Sequence, residues 1–143
     1  MASGILIGSA ALAFYGPLER PISDRDLILR PEGFARLGQP ILPTGIPGRW
    51  VGSGLDVTAF GLNASHTLLA RLVVREVEVA GLEVGLPSLA ALWAIKSGAM
   101  AYAPKRSKTA PDLALIERMG GASDHPAVVT LQAQIRREAM NRR

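Results

Sequence analysis

Short apolar runs separated by turn residues fill the first half of the chain, and longer helix-forming runs fill the second half. Ile5-Leu6-Ile7 stops at Gly8-Ser9 and passes into the helix-forming residues 10–14, which predicts a strand, a turn and a helix. Residues 24–29 alternate polar and apolar side chains, as a half-buried strand does. A short helix is expected next, over residues 32–37.

The middle of the chain is predicted to add further strands and a hairpin. Residues 38–54 carry three prolines and five glycines, which predicts a loop with a short strand around Trp50-Val51, or alternatively a mobile lid. A connecting segment with a short helix is expected over 68–72, and Ala80-Gly81 is a two-residue hairpin turn. The strands expected here are 55–60, 73–79 and 82–84.

The C-terminal part, from about residue 88 to 143, is predicted to be helical. Ser88 stands where an N-cap is expected, in front of an apolar run that ends at Lys96. Residues 105–108 form a basic stretch that we expect to be a loop, and Pro111 suits the first turn of the helix that follows it. The expected helices cover 89–96, 112–119 and the residues from about 126 onward.

Length and composition indicate one folded domain spanning residues 1–143. The absence of cysteine excludes disulfide frameworks, thiolate zinc sites and thiol nucleophiles, and is compatible with a cytoplasmic protein. The apolar start of the chain has no positively charged leader and is interrupted by Gly4 and Gly8, so we expect neither a secretory signal nor a membrane span.

The chain is mildly basic, with 16 Lys and Arg against 12 Asp and Glu and an isoelectric point near 10.1. A phosphate-bearing partner and a merely solvated basic surface explain this excess equally well. The excess is spread along the chain and is concentrated only in the tail, where it predicts either an RNA-contacting edge or favourable charge near a helix C-terminus. The tail residues are Arg136, Arg137, Arg142 and Arg143.

Asp24 and Asp26 are the first candidate site residues. Two carboxylates two residues apart on a strand face the same way, and like charges in that position cost stability unless a cation neutralises them. The pair can therefore hold divalent cations against a triphosphate. The alternative is a solvent-facing strand on which both acids are merely polar.

Two-metal phosphoryl transfer usually needs a third carboxylate. Asp56 is favoured because it is a lone acid in an otherwise apolar strand. Glu76 and Glu78 compete for the role, since they also share one face of a strand.

Further candidates concern phosphate binding. Gly8 and Ser9 at a strand-to-helix turn would offer amide hydrogens and a hydroxyl to an anion, although an ordinary turn explains them as well. Lys96 is either a phosphate partner or a lysine that reaches solvent at a helix end. Lys108 and Asp112 are expected either to pair with each other or to reach the triphosphate.

The remaining distinctive side chains receive no site role. His66 and His125 lie in loop-like segments without ligand spacing around them. Trp50 and Trp93 are expected in the core rather than stacked on a base.

Taken together, these segments resemble the DNA polymerase beta-type nucleotidyltransferase superfamily. The specific part lies within residues 4–30, and the likeness to its small bacterial members continues to residue 119, through the helix that ends in Lys96 and the Lys-x-x-x-Asp-Leu stretch beginning at Lys108. The motifs are Gly8-Ser9, Arg20, Asp24-Arg25-Asp26 and Leu55-Asp56-Val57.

The resemblance implies an α/β fold with a mixed, twisted sheet of about four or five strands, flanked by helices. It also implies transfer of a nucleoside monophosphate from a nucleoside triphosphate such as ATP to a hydroxyl. Mg²⁺ or Mn²⁺ would be held by Asp24, Asp26 and Asp56. The implied nucleotide-binding residues are Gly8, Ser9, Arg20, Lys96 and Lys108.

The acceptor is left open by the resemblance. Superfamily members modify tRNA ends, drugs or protein hydroxyls, the last including partners in toxin-antitoxin pairs. The basic segments favour RNA, with tRNA as one possibility, or an acidic protein. Two alternatives from other classes are a non-catalytic interaction module with the same fold, such as a toxin-antitoxin partner or a nucleotide-binding regulatory subunit, and a plain basic RNA-binding domain.

Overall fold

One mixed seven-stranded sheet organises the computed structural model, which describes residues 2–18 and 20–142. Its strands lie in the order β3-β4-β5-β2-β1-β7-β6. β1 is parallel to β7, β2 is parallel to β5, and the other neighbours are antiparallel. The strands are β1 (Gly4–Ile7), β2 (Arg25–Leu29), β3 (Leu42–Pro43), β4 (Arg49–Gly52), β5 (Leu55–Ala59), β6 (Val73–Val79) and β7 (Leu82–Pro87).

Six α-helices connect and flank these strands within the described part of the chain, which is therefore α/β as expected. A short 3-10 turn, Ala103–Lys105, precedes the fifth helix. The helices are α1 (Gly8–Leu12), α2 (Pro31–Arg36), α3 (Ser65–Ala70), α4 (Leu89–Ala99), α5 (Arg106–Arg118) and α6 (Pro126–Met140).

The two faces of the sheet carry separate apolar clusters. Ile5 of β1 and Ile28 of β2 pack with residues of α3, α4 and α6 on one face. Leu6 and Leu27, their neighbours along the strands, belong to a second and larger cluster. Because side chains alternate along a strand, Asp26 lies on the same face as Ile28. That face is the one covered by α3, α4 and α6.

Several predicted elements are confirmed. The hairpin of β6 and β7 turns through Ala80 and Gly81, whose φ angles of 53° and 78° are both left-handed. The Ser88 hydroxyl accepts the Ala91 N–H at 3.1 Å and caps α4. Trp50-Val51 lies within β4, so the segment 38–54 contributes two strands to the sheet edge.

Other boundaries differ from the predictions. The sheet has seven strands rather than four or five, and α3 begins at Ser65 instead of residue 68. The basic stretch 105–108 is not a loop, because α5 begins at Arg106 and Pro111 lies inside this helix. Proline is poorly tolerated in a helix interior, and for that reason the helix was predicted to begin at residue 112 instead of Arg106. Asp24 lies just before β2 and not within it.

None of the helices in the described ranges combines the length and apolar character needed to cross a membrane.

Helices α4 and α6 lie in close contact at Gly98. A Cβ placed on Gly98 would lie 2.8 Å from the carbonyl oxygen of Gln132 and 2.9 Å from the Cβ of Ile135. Contacts this short force one helix to move. The glycine is therefore required by packing, and not by an unusual backbone angle.

We expect Gly98→Ala to lower the free energy of unfolding by about 1–3 kcal/mol, because the methyl group separates α4 from α6. Ala114→Gly, at an exposed position of α5, is the control for helix propensity and should cost about 1 kcal/mol. Urea unfolding followed by circular dichroism measures both values. Stabilisation by Gly98→Ala would contradict the close packing.

Candidate functional site

Asp26 and Asp56 lie side by side in the sheet. They are register partners on the parallel strands β2 and β5, and both are partly buried. Asp26 is also opposite Ile7 at the end of β1. Two carboxylates are thus fixed on rigid strands at the point where β1 passes into α1.

Burial raises the pKa of Asp26 to about 6, and the negative charge of Asp56 acts in the same direction. A hydrogen bond to Asp56 and the charge of Asp24 raise the pKa further, whereas the positive charge of Lys96 lowers it. The Asp26 carboxyl therefore ionises with difficulty unless positive charge is added beside it.

Gly8 allows the main chain to pass close to Asp26. Its φ angle of 72° is left-handed, and a Cβ at this position would collide with a carboxyl oxygen of Asp26. Gly8 is thus needed for the close approach. The helix that follows, α1, has five residues and begins at Gly8, two residues before the predicted segment 10–14.

Asp112 forms the centre of an ion cluster. Its Oδ2 atom accepts hydrogen bonds from Arg20 Nη2 at 2.8 Å and from Ser9 Oγ at 3.2 Å, and lies 3.2 Å from Lys96 Nζ. Arg20 Nη2 also donates to Ser9 Oγ at 3.0 Å. The Asp112 side chain is 5% exposed, so the cluster is anchored in the protein interior. The alternative that Asp112 pairs with Lys108 is wrong.

All three predicted aspartates line one cleft of about 540 Å³. Asp24 is exposed at its lip, whereas Asp26 and Asp56 lie deeper. The predicted phosphate ligands Ser9, Arg20, Lys96 and Lys108 also border this cleft. Its other basic residues are Arg49, Lys105 and Arg142.

The rival third carboxylates lie elsewhere. Glu76 and Glu78 belong to β6 at the far edge of the sheet, which β1 and β7 separate from β2. Glu78 borders a different cavity, beside Phe14 and Arg25. Asp56 is therefore the carboxylate that the fold brings to Asp26.

Across residues 2–18 and 20–142, no three His, Asp or Glu side chains come together as a group able to hold a metal ion. The adjacent oxygen donors of Asp26 and Asp56 nevertheless suit a hard divalent cation, and their mutual repulsion is the electrostatic condition that a cation relieves. The donor set fits Mg²⁺ or Mn²⁺ when substrate oxygens and water complete the coordination.

His66 is a site residue that the sequence did not reveal. It is 5% exposed, lies in α3 and borders the cleft. Its Nδ1 accepts the Gly61 N–H at 3.0 Å, and burial lowers its pKa. No ligand spacing surrounds His66 in the sequence, and its segment was predicted to be loop-like, so no local pattern marked this residue. His125 instead caps α6, where its Nδ1 accepts the Ala127 N–H.

The tryptophans and the tail follow the predictions only in part. Trp50 packs edge to face with Phe34 at 4.8 Å, and Trp93 packs against both apolar clusters. In the tail, Arg142 reaches the cleft and lies over the ring of Tyr102, whereas Arg136 and Arg137 are exposed on α6. Arg143 lies outside the described residues.

A comparison with models of protein families gave no match, and a comparison with curated proteins gave none either.

The ion cluster predicts a large effect for Asp112→Asn. Removing the charge leaves Lys96 and Arg20 without their buried anion, so we expect the free energy of unfolding to fall by about 2–3 kcal/mol. Glu117→Gln, at an exposed position of the same helix, should change it by less than about 0.5 kcal/mol. Chemical denaturation of the three proteins tests this, and equal stabilities would contradict the cluster.

The raised pKa of Asp26 predicts a pH-dependent stability. The folded protein holds this proton up to about pH 6, whereas the unfolded chain releases it near the ordinary value of 3.8. Stability from this group is thus present below about pH 4 and lost as pH rises through about 6. We therefore expect Asp26→Asn to be more stable than wild type by about 1–3 kcal/mol at about pH 7.5.

The difference should disappear below about pH 4, where the aspartate is neutral in both states. Denaturation curves at several pH values, recorded with a chelator, measure it. Asp124→Asn, at an exposed loop position, is the control. A pH-independent difference would show that the pKa of Asp26 is not raised in the folded protein.

Proposed function

We propose that this protein is a metal-dependent nucleotidyltransferase of the DNA polymerase beta type, which transfers a nucleoside monophosphate from a nucleoside triphosphate to a hydroxyl group. The observation that carries the proposal is the pairing of Asp26 with Asp56 on adjacent parallel strands, inside a cleft whose other charged side chains, apart from Asp24, are basic. Acids beside bases in one cleft suit a triphosphate that arrives with divalent cations.

Asp26 and Asp56 would hold Mg²⁺ or Mn²⁺, with Asp24 contributing from the lip of the cleft. The bound cation would supply charge neutralisation at the phosphate oxygens. The elevated pKa of Asp26 supports this assignment, because a carboxylate pair that repels itself gains most from a cation.

Ser9, Arg20, Lys96 and Lys108 would bind the triphosphate. Although Asp112 engages the first three, an arginine has five N–H donors and a lysine three, so donors remain for phosphate oxygens. Asp112 would keep these side chains oriented before the nucleotide arrives, which reduces the entropy lost on binding. Lys108 is exposed at the rim and would act as a point charge.

In the reaction, the acceptor oxygen forms a bond to the α-phosphorus while the bond to the pyrophosphate oxygen breaks. Asp56 would take the proton from the acceptor hydroxyl. Pyrophosphate would leave towards Arg20 and Lys96, the two cationic side chains that Asp112 holds. The residues contribute mainly by positioning groups and by compensating charge.

The acceptor that we propose is a hydroxyl of RNA, with tRNA as one possibility, or of a protein. Exposed Arg49, Lys105 and Arg142 at the cleft support a polyanionic acceptor. A cytoplasmic setting is part of the same proposal, and a protein acceptor would include the partner in a toxin-antitoxin pair.

The test is transfer of label from each of the four α-labelled nucleoside triphosphates to total RNA and to protein, with Mg²⁺ or Mn²⁺. We expect labelling by the wild type and a loss of at least about 1,000-fold in Asp24→Asn/Asp26→Asn and in Asp56→Asn. Glu78→Gln, a carboxylate in the same sheet but outside the cleft, is the matched control and should retain activity.

Labelling that survives the aspartate substitutions would refute the proposed site. Absence of labelling together with absence of metal-dependent triphosphate binding would favour the non-catalytic interaction module. Salt-sensitive RNA binding that is indifferent to metal and nucleotide would favour the plain RNA-binding domain.

A further inference from the structure

A second chamber adjoins the cleft beneath the carboxylates. It has a volume of about 220 Å³ and lies between β1, β2 and the helices α3, α4 and α6. Asp26, His66, Lys96 and Arg142 border both cavities, so the chamber lies directly beside the cleft. A molecule whose phosphates lie at Lys96 can therefore extend into the chamber.

About half of the chamber lining is apolar and the other half is polar or charged; within the polar half, Ser65 and Glu138 are joined by a hydrogen bond. Ile28, Leu69, Ile95 and Ile135 come from four different elements and surround a space of the size of a small planar group. Ligand sites are typically apolar cavities with a few convergent polar groups. Here His66 and Asn63 are such groups.

The hydrogen-bonding state of His66 is fixed by its surroundings. Because Nδ1 accepts the Gly61 N–H and burial lowers the pKa, the ring is neutral at neutral pH and carries its proton on Nε2. His66 Nε2 has no hydrogen-bond partner among the described residues. Among these residues, Trp93 Nε1 is the one fully buried side-chain nitrogen or oxygen without a partner. His66 Nε2 is therefore not fully enclosed and retains some accessible surface. A donor on a 95%-buried ring thus stays available at the chamber wall.

Asn63 lies one turn before His66 and is half-buried. Its main-chain carbonyl oxygen accepts the main-chain N–H of His66 at 3.1 Å. Its side-chain amide borders the chamber and makes no hydrogen bond to the described residues. An amide offers both a donor and an acceptor, whereas His66 offers a donor. Nucleobase edges present carbonyl or ring-nitrogen acceptors together with amino or imino donors.

From this geometry we infer that the chamber is a nucleobase pocket, in which His66 donates from Nε2 to an acceptor atom of the base and Asn63 pairs with the same edge. The inference rests on the proposed function, since it places the base of the nucleotide whose phosphates lie at Ser9, Arg20 and Lys96. A macromolecular acceptor does not fit a chamber of this size, and reaches the site from the open rim of the cleft.

The experiment compares the binding of inorganic tripolyphosphate with that of the four nucleoside triphosphates, with Mg²⁺, by calorimetry. We expect at least one nucleoside triphosphate to bind about tenfold or more tightly than tripolyphosphate. His66→Phe and Asn63→Ala should each remove about tenfold of this advantage while leaving tripolyphosphate affinity unchanged. His66→Gln, which retains a terminal N–H donor, should restore much of it.

Thr67→Ala, an exposed neighbour in α3, is the matched control and should bind like wild type. Asn63 is half-buried, and its side chain makes no hydrogen bond within residues 2–18 and 20–142. Its variant therefore keeps the test valid if His66→Phe does not fold.

Equal affinity for tripolyphosphate and all nucleoside triphosphates would overturn the base pocket and leave the proposed function intact. The same holds if the His66 and Asn63 variants affect only the KM for the acceptor, which would assign the chamber to the acceptor. Binding of neither tripolyphosphate nor any nucleoside triphosphate would overturn both the base pocket and the proposed function.

Discussion

The buried carboxylate of Asp112 is the interaction on which the arrangement of the cleft depends. A charge in the interior is tolerated only when opposite charges and hydrogen bonds surround it. Here the partners come from α1, the segment after it and α4, so one oxygen of α5 connects four parts of the chain. Without this anion, the cationic side chains of Arg20 and Lys96 would lack a fixed position in the cleft. The positive side of the cleft is thus as firmly built as the carboxylates on the strands.

The two sides of the cleft carry unbalanced charges of opposite sign. Asp26 and Asp56 have more negative charge than their surroundings accommodate, as the raised pKa of Asp26 indicates. The rim has more positive charge than the aspartates balance, since Lys105, Lys108 and Arg142 have no acidic partner among the described ion pairs. A polyanion with bound divalent cations would satisfy both sides at once.

The sequence predicted the elements whose signals are local. Ser88 as a cap, Ala80-Gly81 as a turn and the strand positions of Asp26 and Asp56 follow from short-range chemistry and alternation. Long-range placement was less accessible. Asp112 was expected either to pair with Lys108, four residues away, or to reach the triphosphate. Its ion-pair partners instead lie 16 and 92 residues away in the sequence, and nothing local marks that. His66 was missed because burial of a histidine depends on tertiary packing. The predicted fifth helix was too short because Pro111 was expected in its first turn, whereas it lies in the interior of α5.

The outer strand β3 has a consequence for how the molecule meets other chains. It consists of two residues, one of them Pro43, and proline has no N–H to donate to a neighbouring strand. The sheet thus ends on this side in an edge that another β-strand extends poorly. Association by strand addition is disfavoured at this edge, so a partner binding on this side of the molecule would recognise side chains rather than exposed main chain.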